Sequence, residues 1–384
     1  MHTARDVIDD IRRTEFGIGE PDDIPAIRNL RAKLHRALQQ LAEEIYSDGI
    51  HFVLELVQNA EDNEYAGATP ELRFVVSQAH LHVLNNETGF GEESVRAICD
   101  VSRSTKSKAK GHIGEKGIGF KSVFRVTNEP RIFSNGFQFR LPKDDPGTGL
   151  GYVVPFWVED VPPQVAPGVT NIFLPLSPEA QGELAKVMEI DPSLLLFLKQ
   201  LRRVEVVDEV RGCRTQISRA GSDERVELRS ANGVKFWKLI RRTVPVRAGL
   251  REEKRKEIAE TELALALPLT EGGDADGADF HRVHAYLPIA EFGLRFAFHA
   301  DFVLAAGREG ILTDRPWNQW LRDSLSGLFL AAIEECKHDE LLRTSFLEYV
   351  PRPEDKIDSF FEPAAEAIRD ALREAPFVLT ASGR

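Results

Sequence analysis

Glu55, Asn59 and Asp62 stand four and three residues apart, which sets them on one face of a helix expected over 51–65. A carboxylate, a carboxamide and a second carboxylate then project together, either as a site or as the solvated face of an amphipathic helix. Val53, Leu56, Val57 and Ala60 form the opposite, apolar face, suited to docking on a sheet. Further on, Gly114-Glu115-Lys116-Gly117-Ile118-Gly119-Phe120-Lys121-Ser122 places three glycines within six residues ahead of an expected helix. Glycines let backbone amides approach and wrap a phosphate, and a helix N-terminus adds partial positive charge. A Walker P-loop would need Gly-Lys-Ser/Thr in direct succession, and Phe120 breaks that register. Tight turns use the same residues, so the cluster alone does not decide.

Charge adds to the case. The 384 residues carry 49 Lys and Arg against 61 Asp and Glu, a net of −12. The window 101–125 holds seven basic residues and one acid, so +6 is embedded in a remainder of −18. A basic, serine-rich, glycine-bearing loop in an acidic chain suits a lid over a polyphosphate, expected over 102–113; a solvated loop is the alternative. The acidic balance argues against a chain that coats nucleic acid over its whole surface.

The elements that must position these groups read as follows. Ile27, Leu30, Leu34, Leu38, Leu41 and Ile45 recur at helical steps and predict a helix over 24–45. Strands are expected at 72–76 and 81–84, leading into the turn-rich Asn85-Asn86-Glu87-Thr88-Gly89-Phe90-Gly91, then a helix over 92–99. Strands dominate through 172–174, and the expected domain boundary falls at 177/178. Beyond it come strands near 204–210, 225–228, 234–246 and 263–267, a charged helix near 252–262, helices near 317–336 and 363–373, and a strand-like end at 377–380. The acidic loop 272–279 lacks the glycine and glutamate positions of an EF-hand and reads as a hairpin loop.

Cys99, Cys213 and Cys336 are far apart and lack metal spacing, so structural zinc is not expected and a reducing compartment fits. No stretch approaches the roughly 20 apolar residues of a membrane span. The expectation is a soluble, cytoplasmic protein with no membrane partner.

Taken in order, Glu55-x-x-x-Asn59-x-x-Asp62, Asn85-Asn86-Glu87-Thr88-Gly89-Phe90, Gly114-x-x-Gly117-x-Gly119-Phe120 and Gly168-Val169-Thr170-Asn171-Ile172-Phe173-Leu174 resemble the GHKL ATPase family. Phe52 to Ala60, Ser104-Thr105-Lys106 and Ile118 to Val126 are most similar to its sacsin and NO VEIN branch; HtpG-type chaperones and MORC ATPases share the motifs. The resemblance implies an α+β protein. Residues 1–177 would form a Bergerat α/β sandwich, and 178–384 a mixed α/β, transducer-like second domain, truncated at its end. It implies ATP and Mg²⁺ as cofactors, with Glu55 as the general base that activates water and Asn59 as the magnesium ligand. Asp62 would support the site. Gly114, Gly117 and Gly119 would offer amides to the phosphates, with Lys121 and Lys106 or Ser104 adding contacts, and Thr170 would help fix adenine through a water. Gly89, Thr105, Ile118 and Phe120 belong to the same nucleotide-binding motifs.

The family's usual adenine-binding aspartate is replaced by Asn85, a neutral and weaker acceptor, with Glu87 as a candidate in shifted register. Arg308, in Ala306-Gly307-Arg308-Glu309-Gly310, would reach back to the γ-phosphate; a surface arginine paired with an acid is the alternative. Trp317 and Trp320 read as core packing.

Three functions follow from this reading. The first is a slow Mg²⁺-dependent ATPase that drives a conformational switch or ATP-dependent homodimerisation, with chaperone-like action on a protein client. The second is a nucleotide-sensing interaction module with negligible hydrolysis. The third, ATP-gated nucleic-acid or defence work of the MutL or MORC kind, ranks last because no long basic stripe lies outside 101–125.

Overall fold

A computed structural model describes residues 3–19, 25–45, 51–100, 119–178, 180, 184, 190–247, 249, 250, 252, 255, 258–305 and 310–374. The expected lid at 102–113 and the strand at 377–380 lie outside them. The chain is mixed α/β and divides into two compact units, Met1–Ile190 with Lys199–Gln216, and Asp191–Leu198 with Ile217–Arg384. The expected boundary at 177/178 therefore falls inside the first unit, which takes back a later piece of chain.

The first unit opens with α1 (Ala4–Thr14), a helix not expected from the sequence. Thr3 and Asp6 form a reciprocal capping box that satisfies its first amides, and Val7, Ile8 and Ile11 are its buried face. The next helix, α2 (Pro25–Ile45), matches the periodicity. Its apolar stripe is covered unevenly, since Leu38 is buried while Leu30 is 65% exposed. After α3 (His51–Glu61) come β1 (Glu71–Val76), β2 (His80–Asn85) and α4 (Glu92–Cys99), close to the predicted spans. The glycine-rich stretch runs into a 3₁₀ turn over Gly119–Arg125 in place of the expected α-helix. The strands β3 (Arg131–Ser134), β4 (Phe137–Arg140), β5 (Phe156–Trp157), β6 (Thr170–Pro175) and β7 (Arg203–Asp208) complete a sheet of order β7-β1-β2-β6-β3-β4-β5. All neighbours are antiparallel except β1 and β7, where Leu72 meets Val204 in a parallel register.

Leu72, Phe74 and Val76 alternate along β1 and are buried, as the two-residue period of a strand requires. On α3, Val53, Leu56, Val57 and Ala60 are buried as expected. Arg96 of α4 ties that helix to α1, pairing with Asp10 at 2.7 Å, Glu15 at 2.8 Å and Glu92 at 2.9 Å.

In the second unit, β8 (Cys213–Ser222, from Ile217 on), β9 (Arg225–Ser230), β10 (Gly233–Pro245), β11 (Glu260–Leu269), β12 (His281–Ala285), β13 (Leu287–Leu294) and β14 (Ala297–Ala300) follow the order β13-β12-β14-β11-β10-β9-β8. The charged helix expected at 252–262 is not seen at its C-terminal end, because Glu260 already begins β11 and pairs with Pro245. Two helices follow, α5 (Pro316–His338) and α6 (Glu362–Glu374), near the expected spans. Trp317, Leu321, Leu325, Leu328, Ala332 and Cys336 recur at three- and four-residue steps on α5 and are buried in one core with Leu263, Leu265 and Leu267 of β11. Trp317 and Trp320 are 2% and 8% exposed, which bears out their reading as core.

Candidate functional site

Glu55 lies on the buried part of α3, 9% exposed, and its carboxylate reaches the backbone of Gly119. A Cβ placed on Gly119 would stand 2.0 Å from Glu55 Oε2, so the glycine leaves room for the carboxylate. The sequence separates these residues by the end of α3, by β1, β2 and α4, and by residues 101–118, and the fold joins them. Asn59 on the same helix and Asp62, one residue past its end, are half-buried. The three polar positions are thus not a fully solvated stripe.

Sequence reasoning passed over Glu61, although its place four residues after Val57 puts it on the apolar side. It is 5% exposed and accepts the backbone N–H groups of Lys199 at 2.5 Å, Gln200 at 2.9 Å and Leu201 at 2.8 Å. Burial pushes its carboxyl above the usual range and the three amides act against that rise. Glu61 thereby fixes the end of α3 to the turn that leads into β7.

Asn85, at the end of β2, is 6% exposed and already committed. Its amide nitrogen donates to the Tyr65 hydroxyl at 2.8 Å and the Glu71 carbonyl at 2.9 Å, and its oxygen accepts from Asn63 at 3.1 Å. Tyr65 in turn donates to the Ala60 carbonyl at 2.7 Å, so this network binds β2 to the end of α3. Asn86 is also structural, bridging the Glu71 amide and the Thr69 carbonyl.

Glu87 is the acid that meets Thr170. The Thr170 hydroxyl donates to Glu87 Oε1, and the Gly89 amide donates to Oε2 at 2.7 Å. Thr170 has one proton and gives it to Glu87, so the contact between Ser134 and Thr170 is donated by Ser134. Ser134 Oγ accepts from the Phe90 amide at 2.9 Å. A chain of donors thus runs from Phe90 through Ser134 and Thr170 to a carboxylate 6% exposed, each bond polarising the next. Gly89 has φ +96°, and a Cβ there would meet Asn135 Cβ at 2.7 Å, so only glycine fits this turn. Ser134 was not singled out from the sequence; its burial at the end of β3 is set by the sheet.

Lys121 does not extend from the glycine segment toward a ligand. It is 2% exposed, and Nζ donates to the carbonyls of Ile98 and, at 2.9 Å, Tyr152. Burial pulls its ammonium down to about 8, with Cys99 and Asp100 acting the other way. Phe120 is likewise buried. Ser104, Thr105, Lys106, Gly114, Gly117, Ile118 and Arg308 lie outside the described residues. The chain on either side of Arg308 is well held: Ala305 N–H donates to the Gly310 carbonyl at 3.0 Å, and the fully buried Asn318 bonds both Val303 backbone groups and the Leu312 carbonyl.

Among the described residues, no group of three or more His, Cys, Asp or Glu side chains could hold a metal ion, and no helix is long and apolar enough to cross a membrane.

The sacsin domain family model matches residues 31–146, the stretch that carries Glu55, Asn59, Asn85, Glu87 and Gly119. Protein NO VEIN of Arabidopsis thaliana is 33% identical over 407 aligned residues, covering 96% of this chain and 14% of NO VEIN. Human sacsin is 35% identical over 107 residues, covering 23% of this chain and 2% of sacsin. The chain is sacsin- and NO VEIN-like. It spans a small part of either relative, and Thr170 lies beyond the sacsin domain match but within the reach of the NO VEIN one.

Proposed function

We propose that the first unit is an ATP-binding domain of the GHKL kind, with a Bergerat fold, that hydrolyses ATP slowly and uses the nucleotide state as a conformational or dimerisation switch. The single observation that carries this reading is the meeting of Glu55 and Gly119: a buried carboxylate on a helix held against the backbone of a glycine segment. Bound ATP and Mg²⁺ would supply the phosphoanhydride and the charge-neutralising cation. Glu55 would orient and deprotonate the attacking water, and Asn59 would offer a carboxamide oxygen to the cation, which keeps most of its waters. Glu87, held by Thr170 and Gly89, would accept from the adenine amino group in place of Asn85, whose oxygen already accepts from Asn63; a charged acceptor is the stronger one. Two observations support a fit to the cofactor, the carboxylate of Glu55 brought against the Gly119 backbone and the buried acceptor at Glu87.

Phosphate release and equilibrium ATP binding should be measured together in the intact chain. Glu55→Ala should abolish turnover and leave ATP binding within about threefold. Unchanged hydrolysis in that variant would overturn the assignment, and loss of binding with loss of fold is separated from it by the melting temperature. Chaperone-like action and the protein client are part of the same proposal.

A further inference from the structure

The chain returns from the second unit to the first across one peptide bond, Leu198–Lys199. Both polar groups of that peptide are taken by buried charges. On the first-unit side, the Lys199 N–H donates to Glu61 Oε1 at 2.5 Å, and the next two amides complete the grip on that carboxylate. On the second-unit side, the Leu198 carbonyl accepts from Arg219 Nη1 at 2.6 Å. The Arg219 side chain is 8% exposed and is braced by Asp223 at 3.2 Å. The C=O and N–H of a trans peptide point in opposite directions. A carboxylate and a guanidinium therefore hold one planar group from its two sides, each bond polarising the other.

Neither side of this arrangement has slack. Leu194 to Leu198 are all buried, and Phe197 packs on His284 and His299, with ring centroids 4.9 and 5.3 Å away, so the residues before the peptide belong to the second core. Charge-assisted hydrogen bonds are short and directional, and they fix the peptide more narrowly than apolar packing would. Glu61 is the last residue of α3, a continuous helix of 11 residues that carries Glu55 six positions earlier. A shift of the peptide pulls the end of α3, and the helix conveys that shift to a carboxylate lying against the Gly119 backbone.

We propose that Glu61 is a positioning residue for Glu55, and that the second unit, through Arg219 and the Leu198–Lys199 peptide, sets where the Glu55 carboxylate stands. The inference rests on the reading of Glu55 as the group that activates water. The test measures hydrogen exchange of the α3 amides, ATP binding and phosphate release in the intact chain, at a temperature where circular dichroism shows each variant folded. Glu61→Gln keeps one acceptor oxygen and sets an N–H group against a backbone donor. Glu61→Gln and Arg219→Met should each speed α3 exchange and lower phosphate release about tenfold, with ATP affinity within about threefold. Arg219→Lys should restore most of both. The two residues grip one peptide, so the double variant should lose little more than the larger single loss. Arg295→Met breaks a buried pair with Asp355 elsewhere in the second unit, and should lower the melting temperature while leaving α3 exchange and phosphate release as in the parent. Unchanged α3 exchange in Arg219→Met, an equal response in Arg295→Met, or faster exchange with unchanged phosphate release would overturn the proposal. A parent chain that releases no phosphate would instead overturn the ATPase reading, and the positioning role with it, which separates the two failures.

Discussion

The Thr170 hydroxyl donates to the carboxylate of Glu87, while Asn85, opposite Thr170 in the β2–β6 register, spends its amide hydrogens on Tyr65 and Glu71 and its oxygen on Asn63. The acceptor that could face a ligand therefore sits two residues past the end of β2. That displacement is possible because the Asn85 side chain fastens the strand end and the turn at Gly89 holds the Glu87 carboxylate against Thr170.

Glu87→Gln should weaken ATP binding about tenfold to a hundredfold, the cost of removing one charged hydrogen-bond partner. Asn85→Ala should act mainly on stability, because it unties β2 from Tyr65 and Asn63. Calorimetric titration with ATP and thermal melts of both variants separate the two effects. Equal ATP affinity in Glu87→Gln and the parent would refute the role of Glu87.

Gly119→Ala should disturb Glu55 directly. The added methyl would force the carboxylate aside by an ångström or more, and a misplacement of about 1 Å can cost about a hundredfold in rate. The expected result is loss of phosphate release with the melting temperature little changed, since the carboxylate end of a glutamate can swing away.

Lys121 makes a pH prediction. Its folded-state ammonium titrates at about 8 against an ordinary 10.5, so below pH 8 both folded and unfolded chains hold the proton and the burial cost is fully present. Between about pH 8 and 10.5 the unfolded chain binds more protons, and stability on this account rises with pH. A neutral amine keeps two N–H groups, enough for the Ile98 and Tyr152 carbonyls. Lys121→Met should flatten that rise in melts from pH 7 to 10, and should change ATP affinity less than Glu87→Gln does.

The second unit should be acid-sensitive. His284 and His299 are fully buried register partners, held by burial down to about 4 and about 3. Their neutral forms stabilise the fold fully above pH 6.5, and that contribution is lost as the pH falls from 6.5 toward 4, because the unfolded imidazoles take up protons first. Circular dichroism across pH 4–7 should show a transition that shifts to lower pH in His284→Gln with His299→Gln.

Much of this architecture was legible in the sequence wherever a period was strong. The apolar repeat of 24–45, the alternation at 72–76 and the Trp317 helix reappear nearly residue for residue, because burial selects one face of each element. The first helix escaped notice because its signal is a cap, Thr3 with Asp6, and only three buried residues. Lys121 was read from its neighbours in the glycine segment, and no local pattern shows that its side chain turns inward to carbonyls at 98 and 152. Asn85 and Glu87 differ by two positions, and only the hydrogen-bonded partners across the sheet distinguish them.

Glu61 holds the amides of residues 199–201, and β1 pairs with β7 only after the chain has passed 191–198, which belongs to the other unit. During synthesis the first unit cannot close when residue 177 leaves the ribosome; it must wait for residue 208. A fragment ended at 177 would strand a buried carboxylate without its three donors and expose a sheet edge at β1, inviting aggregation. The order of translation is thus woven into the fold, and the first unit is complete only once residues of the second have been made.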